Sequence, residues 1–575
     1  MTNPIVGKSQ GAGTKNLYSA RTYRTTHNSY SGGERGSIWQ QLDSGVRCIE
    51  LDLLGSNSTK IEIGHDVPGD LVSHHHGNPQ TNDLSEWLNI IKEWSDVNGK
   101  HDPITIFFDL KKYRGENLTP LEHELDKAFP EKLIKPDDDL NALKLLGYDG
   151  LVDKIICLHN KIFESTHLFY SPTFYVGDPG DFKSAGKFIT FESNDDFKSE
   201  DTEKFLADGF AVRVYGLDDG DELSQVPPGI TLAATDYPFQ RPYQEYQDRN
   251  PLLAPEITFQ QVTWQRNSDE YDGGKEPSIA INDNGMTVEV HKSANSTDLF
   301  YTVGKLSKDK SSTPSLDFER AVFLGVQGVR PMVAICGKEI CVVYKLENST
   351  EIRYRTGLLD AAKKTITWAN AKKLNVQGTS PSVSMCETAE GKILILVTLM
   401  YSSGFHCWTV GEMAKGGNQG VSWGSPNVTD NDDISVPEMD INSKLEITMV
   451  WEWKEHIYCR VGVLEKGDQK WEPKWKTVPS HGQPTYPIIY DTGRRPSVAL
   501  LADGTAIEIH RSADNNGFWS RTGNRSSTVT VWDVSEKVTE GDVSRIAARG
   551  GYVMEVHKSV NSDTLWYTLG TYKKR

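Results

Sequence analysis

The sequence predicts two domains of different class, an N-terminal (β/α)8 TIM barrel followed by an all-β propeller of six blades. Three observations carry that expectation. Over about the first 240 residues, short apolar strand-like runs alternate with helical patterning. Near residue 245 the helical periodicity stops. Beyond it, one sequence pattern recurs through the rest of the chain.

Eight spans read as barrel strands: 21–27, 46–54, 60–65, 104–111, 154–158, 187–192, 211–216 and 230–236. Between them, DLSEWLNIIKEWSDV at 83–97 carries apolar residues at helical spacing. The boundary falls in YQDRNPLLAPE, 246–256, which holds two prolines and little periodicity. That leaves 1–245 as the barrel and 257–575 as the propeller.

The repeat is legible by eye. EPSIAINDNGMTVEVHKSANSTDLFYTVG (276–304) returns as RPSVALLADGTAIEIHRSADNNGFWSRTG (495–523) and as SRIAARGGYVMEVHKSVNSDTLWYTLG (544–570). Weaker copies begin near Arg330, Ser380 and Val436. Pro277 precedes His291 by 14, as Pro496 precedes His510, and His291, His510 and His557 each precede a glycine by 13. Six copies over 257–575 give about 53 residues each, within the range of propeller blades. The long interval 437–496 keeps seven blades open. An aromatic residue precedes several copies: Trp264, Phe318 and Trp368 stand 13 before Pro277, Pro331 and Pro381. The spare strand 257–265 is then expected to complete the last blade, closing the ring and removing its sheet edges.

Composition removes several functional classes. The 575 residues hold 37% hydrophobic and 25% charged side chains, a globular mixture. No run approaches the roughly 20 apolar residues of a membrane helix. The first thirty residues lack the apolar centre of a signal peptide, so a cytoplasmic location or leaderless secretion is expected. The balance of 62 basic against 79 acidic residues, a net −17, argues against nucleic acid and against simple adhesion to anionic lipid. Seven scattered cysteines demand neither a disulfide framework nor a metal cluster.

The chemistry concentrates in 26–112. Thr26-His27-Asn28-Ser29-Tyr30 ends the first strand, Glu50-Leu51-Asp52 lies on the second, Gly64-His65-Asp66 ends the third and Asp109-Leu110-Lys111 ends the fourth. Residues i and i+2 of a strand share a face, so Glu50 pairs with Asp52 and Asp109 with Lys111. Asn28 with the acids Glu50, Asp52 and Asp109 makes an oxygen-rich set for a hard cation, Ca²⁺ or Mg²⁺. His27 and His65 at strand ends suit a general base and a general acid. A single histidine is more often structural, but two buried carboxylates on one face are costly without a partner. Lys111 ranks above Arg47 as an added positive charge, its bland alternative being a salt bridge with Asp109. His74, His75 and His76 sit among Gly, Asn and Pro and read as a solvated loop.

THNSY, GVRCIELDLL, the histidine ending the third strand, PITIFFDLKK and the closing ITLAATDYP resemble the catalytic barrel of phosphatidylinositol-specific phospholipase C over about residues 20–240. The resemblance implies His27 as general base on the inositol 2-hydroxyl and His65 as general acid on the glycerol leaving group. It also implies Asn28, Glu50, Asp52 and Asp109 as calcium ligands, with a phospholipid at a membrane surface as substrate. Metal-independent bacterial members carry arginine where Asp52 stands, so the chain resembles the calcium-dependent type. Sphingomyelinase D and the glycerophosphodiester phosphodiesterases are similar in residue set and stay open as alternatives. Asn28 favours the phospholipase, since the glycerophosphodiesterases have His-Arg-Gly at that point.

The repeats resemble bacterial and fungal propeller lectins. On that resemblance Glu289 with His291, Glu508 with His510, and Glu555 with His557, beside LFYTVG, FWSRTG and LWYTLG, are candidate glycan contacts. The competing reading is blade-to-blade packing. The remaining alternative is a non-enzymatic lectin or interaction protein with an inactive barrel.

Overall fold

The structure is a computed structural model. It describes residues 18–55, 60–75, 77–111, 118–134, 148–159, 173–174, 188–192, 204–206, 210–218, 222–223, 226, 229–240, 243, 260–308, 314–401, 405–416, 420–428, 434–467, 471–475, 487–525, 530–533 and 535–574. The chain divides into two units, Met1–Ile257 with Thr477–Ile488, and Thr258–Lys476 with Ile489–Arg575. The expected linker 246–256 and His76 lie outside the described residues.

The first unit is built on β1 (Tyr23–Thr26), β2 (Val46–Leu54), β3 (Glu62–Ile63), β4 (Ile104–Asp109), β5 (Ile155–His159), β6 (Thr173–Phe174), β7 (Phe188–Glu192), β8 (Ala211–Tyr215) and β9 (Leu232–Thr235). Eight of them line up in the order β5-β4-β2-β1-β9-β8-β7-β6, every pair parallel. The first strand therefore neighbours the last: Tyr23 to Thr26 pair with Leu232 to Thr235. Helices are sparse among the described residues. The longest are α1 (Ile38–Asp43), α2 (Leu84–Asn98) and α3 (Thr119–Ala128). Ser37 and Gln40 form a capping box that starts α1. Along α2, Trp87, Leu88, Ile91 and Trp94 recur at helical spacing and are buried in one core with Ile49, Leu51, Ile104 and Ile106 of the sheet.

One expected barrel strand is corrected. Residues 60–65 contribute β3, which pairs antiparallel with the tail of β2 through Leu53–Ile63 and Leu54–Glu62. The connection explains it: a parallel neighbour needs a crossover of a dozen or more residues, and β3 follows β2 too closely. The eighth parallel strand is instead β6, two residues long and too short to leave a periodic signal.

The second unit is an antiparallel β-propeller. Strand Lys372–Glu387 joins two sheets, pairing first with Glu351–Asp360 and then with Lys392–Tyr401. The inner strands Lys275–Ile281, Val329–Cys336, Lys372–Glu387, Ser435–Ile441, Arg494–Leu500 and Ser544–Arg549 neighbour one another in that order, and the last lies beside the first. Strand Gln260–Trp264 pairs antiparallel with Thr564–Lys574, so the spare N-terminal strand does complete the last sheet.

The recurring glycine has a packing cause. Gly304, Gly357, Gly411, Gly462, Gly523 and Gly570 pair across strands with Phe318, Trp368, Trp423, Trp475, Trp532 and Trp264. A Cβ on any of them would meet that ring at 2.6 to 3.1 Å. The aromatic ring lies where a side chain would stand, so only glycine fits. Gly523→Ala, where a Cβ would stand 2.7 Å from Trp532 Cε3, is expected to destabilise the propeller by about 1–3 kcal/mol. A lower urea midpoint for the propeller transition checks this, and an unchanged midpoint would count against the ring contact.

Candidate active site

The turn after β1 organises the site. His27 N–H donates to Thr235 O at 2.9 Å, tying the strand end to β9. Asn28 then adopts φ 47°, a left-handed conformation that asparagine accepts more readily than most residues. In that conformation its N–H donates to Glu50 Oε2 at 3.1 Å, and its Oδ1 accepts from Tyr30 OH at 3.1 Å. The His27 ring lies 5.5 Å from Tyr215 and places Nδ1 2.9 Å from Asp236 Oδ1. Arg35 holds the other oxygen of Asp236 and donates its Nε–H to His27 O at 2.7 Å.

Parallel pairing of β2 with β4 sets Asp52 opposite Asp109 and Glu50 opposite Phe107. Carboxylate oxygens of Glu50, Asp52 and Asp109 consequently lie within 4.8 Å of one another. Lys111 Nζ stands 3.0 Å from Asp52 and 3.7 Å from Asp109. Lys111 at Asp52 and Asp109 and Arg213 at Glu50 thus face three acids. Asp52 is fully buried, and burial first, then Glu50 and Asp109, push its pKa up to about 7. Both its oxygens lack a well-directed hydrogen bond, Lys111 meeting one of them as an ion pair. Hard oxygen donors, mutual repulsion and unsatisfied buried oxygens are what a divalent cation would relieve, so the residues fit one.

Charge around His27 is balanced differently. Burial works against a protonated ring, but Glu50 and Asp236 outweigh it and raise the His27 pKa above the ordinary value. Asp236 is itself held below the usual carboxylate range, since His27 and Arg35 overcome its burial.

Residues 17–161 match the model of the phosphatidylinositol-specific phospholipase C X domain. The X-domain match spans about a quarter of the chain and contains His27, Asn28, Glu50, Asp52, His65, Asp109 and Lys111. No curated protein matches the chain significantly. Among solved structures, a calcium-dependent phosphoinositol-specific phospholipase C from Pseudomonas sp is 19% identical with a TM-score of 0.32, covering 40% of this chain and 93% of that one. The Parainfluenza Virus 5 hemagglutinin-neuraminidase is 9% identical with a TM-score of 0.37, covering 55% and 95%. An alpha-L-arabinanase from Penicillium chrysogenum is 9% identical with a TM-score of 0.34, covering 53% and 98%.

Two residues that contact this cluster, Arg213 at Glu50 and Asp236 at His27, lie beyond 161 and were missed from sequence. Arg213 on β8 is buried, donates to Glu50 Oε2 at 2.6 Å and to Thr190 Oγ1 at 3.1 Å, and lies 4.2 Å over the Phe107 ring. Asp236 follows β9. Arginine inside an apolar strand, AVRVY, was the available signal for the first. The segment ITLAATDYP contained the second. Arg47, by contrast, is a structural group: it donates to Leu42 O and Val46 O and stacks 4.9 Å over Trp94.

His65 follows β3. The Gly64 N–H donates to Asp52 O at 3.2 Å, which sets His65 one residue past that bond. Its Nδ1 lies 3.6 Å from Asp66, and it is one-third exposed. His74 Nδ1–H donates to Pro79 O at 2.8 Å, within the loop expected there.

The propeller pairs are enclosed. Glu289, His291, Glu508, His510, Glu555 and His557 are 0 to 3% exposed. Each carboxylate meets the ring of its own histidine at 2.9 to 3.1 Å. Gly274, Gly493 and Gly541 pass so close that a Cβ would meet His291, His510 or His557 within 2.8 Å. Tyr271 and Ser544 donate to Glu289 and Glu555 from neighbouring strands, and the expectation of glycan contact through these pairs is corrected on burial. In the copy where Thr398 stands in place of histidine, His406 hydrogen-bonds to it from the next strand. Burial, helped by Arg460, holds His406 at a pKa of about 3. An unfolded histidine protonates near 6.5, so stability falls by about 1.4 kcal/mol per unit as pH drops below that value. His406→Gln should therefore narrow its stability deficit against the parent between pH 7 and 4, measured by urea midpoints. A constant deficit would count against this origin of acid sensitivity.

Among the described residues no helix is long and apolar enough to cross a membrane.

Proposed function

We propose that the first unit cleaves a lipid phosphodiester, phosphatidylinositol foremost, with His27 as general base and His65 as general acid. The observation that carries this reading is three carboxylates within 4.8 Å beside a histidine whose Nδ1 is held by Asp236, inside a segment matching the X domain.

With Asp236 accepting from Nδ1–H, the Nε2 lone pair of His27 takes the proton of the attacking inositol hydroxyl. Arg35 fixes Asp236 and the backbone of His27 together, so the base keeps its tautomer and its aim. His65 returns a proton to the departing glycerol oxygen. Lys111 and Arg213 oppose the charge that develops on the phosphoryl oxygens, and Arg213 orients Glu50. Asn28, Glu50, Asp52 and Asp109 would hold Ca²⁺, or Mg²⁺. When bound, the cation supplies Lewis-acid stabilisation at the phosphoryl group. Diacylglycerol and a cyclic inositol phosphate are the expected products.

Support for the architecture comes from strand order. Eight parallel strands with first beside last suit a closed barrel. Six neighbouring inner strands with the last beside the first suit six blades rather than seven. The propeller is then a module that brings the phosphodiesterase to its membrane substrate.

Full-length protein assayed on phosphatidylinositol, sphingomyelin and glycerophosphocholine tests the reading. Inositol phosphate release is expected. Choline release instead would assign the sphingomyelinase D or glycerophosphodiesterase alternative, and silence on all three would leave an inactive barrel.

A further inference from the structure

A cavity of about 200 Å³ opens on the propeller axis, lined by residues of all six inner strands. Its rim is built in an unusual way. Glu276, Arg330, Ser380, Val436 and Arg495 all have φ between 45° and 55°, and each is followed by proline. A residue before proline favours extended backbone, so five left-handed conformations at equivalent points are imposed by the fold. Each lies at a break in strand register, where the chain bulges. Such local strain gathers at sites that bind something.

The lining chemistry names a ligand class. Arg330, Arg495 and Arg545 converge with Glu276 and Glu438, and Asp542 and Glu452 approach Arg495 from beside the mouth. Glu438 is 5% exposed, fixed 2.8 Å from Arg545 Nε and accepting from Ser497 Oγ at 3.0 Å. Arg495 reaches Asp542 at 3.3 Å, whereas the Arg330 guanidinium bonds the hydroxyl of Ser380. Arginine forks suit carboxylates, a fixed Arg545–Glu438 pair suits ring hydroxyls, and the proline rings between them suit the C–H face of a sugar.

We propose that this axial mouth binds a sugar unit carrying a carboxylate, with Arg330 and Arg495 on the carboxylate and Arg545 with Glu438 on ring hydroxyls. The site is independent of the phosphodiesterase reading and of the enclosed Glu–His pairs.

Titration calorimetry on the full-length protein tests it with methyl glucuronoside, methyl N-acetylneuraminoside and the neutral control methyl glucoside. At least one acidic glycoside should bind saturably, and at least tenfold more tightly than the glucoside. Arg330→Ala and Arg495→Ala, both at exposed positions, should each weaken that binding at least tenfold. Arg330→Lys should recover part of it, and thermal midpoints should stay within a degree or two. No saturable binding by either acid, equal binding of the glucoside, or full affinity in the double Arg330→Ala, Arg495→Ala variant would overturn the proposal. Phosphodiester cleavage measured in parallel should be unchanged in these variants on a soluble substrate, so loss of one activity is read separately from the other.

Discussion

His27→Gln should cut phosphodiester cleavage by about 10²- to 10⁴-fold, mostly in kcat, since it removes the proton acceptor and leaves the binding surface in place. Glutamine can still donate to Asp236, so the turn held by Thr235, Arg35 and Glu50 should survive. Steady-state rates on phosphatidylinositol vesicles and on a soluble inositol phosphodiester measure the effect. Both substrates should lose activity alike, because His27 acts on the headgroup. A loss under about tenfold on either would take His27 out of the proton transfer.

Adding calcium to metal-stripped protein should raise the melting midpoint of the first unit and switch on cleavage. Three carboxylates crowd within 4.8 Å with Lys111 as their nearest ammonium, and Asp52 responds by holding a proton up to about pH 7. A cation lets Asp52 ionise beside its two neighbours. At one hundred times its dissociation constant it stabilises by about 2.7 kcal/mol. Asp52→Asn should weaken the calcium-induced shift and stabilise the metal-free protein, because it removes a buried charge that repels its neighbours. Scanning calorimetry with EDTA and with added calcium measures both. A midpoint indifferent to calcium, magnesium and EDTA alike would exclude the cation.

Legibility from sequence followed distance along the chain. The Glu-x-Asp pair and the acid after ITIFF declared themselves because strand alternation fixes which residues share a face. The register that sets Asp52 beside Asp109 then brings the acids together. Arg213 and Asp236 are different, since their partners Glu50 and His27 lie 163 and 209 residues away. No local period links such residues. Span 60–65 misled because an alternating run has the same period in a parallel or a returning strand, and only the short connection distinguishes them. In the propeller, the spacing of 13 from histidine to glycine was a true signal whose cause was hidden. The glycine makes room for an aromatic ring of the neighbouring strand, and the histidine is buried against its own glutamate.

The pairing of Gln260–Trp264 with Thr564–Lys574 has a consequence for synthesis in the cell. The earlier strand emerges from the ribosome about 300 residues before its partner, a wait of about 15–60 s at ordinary translation rates. Through that interval the nascent propeller presents an unpaired strand at its leading end and an open sheet at its trailing end. Both are templates for pairing with a second chain. Slower elongation through the last copy should therefore raise the yield of misassembled oligomers, whereas a circular permutant that joins these two strands through a hairpin should lower it.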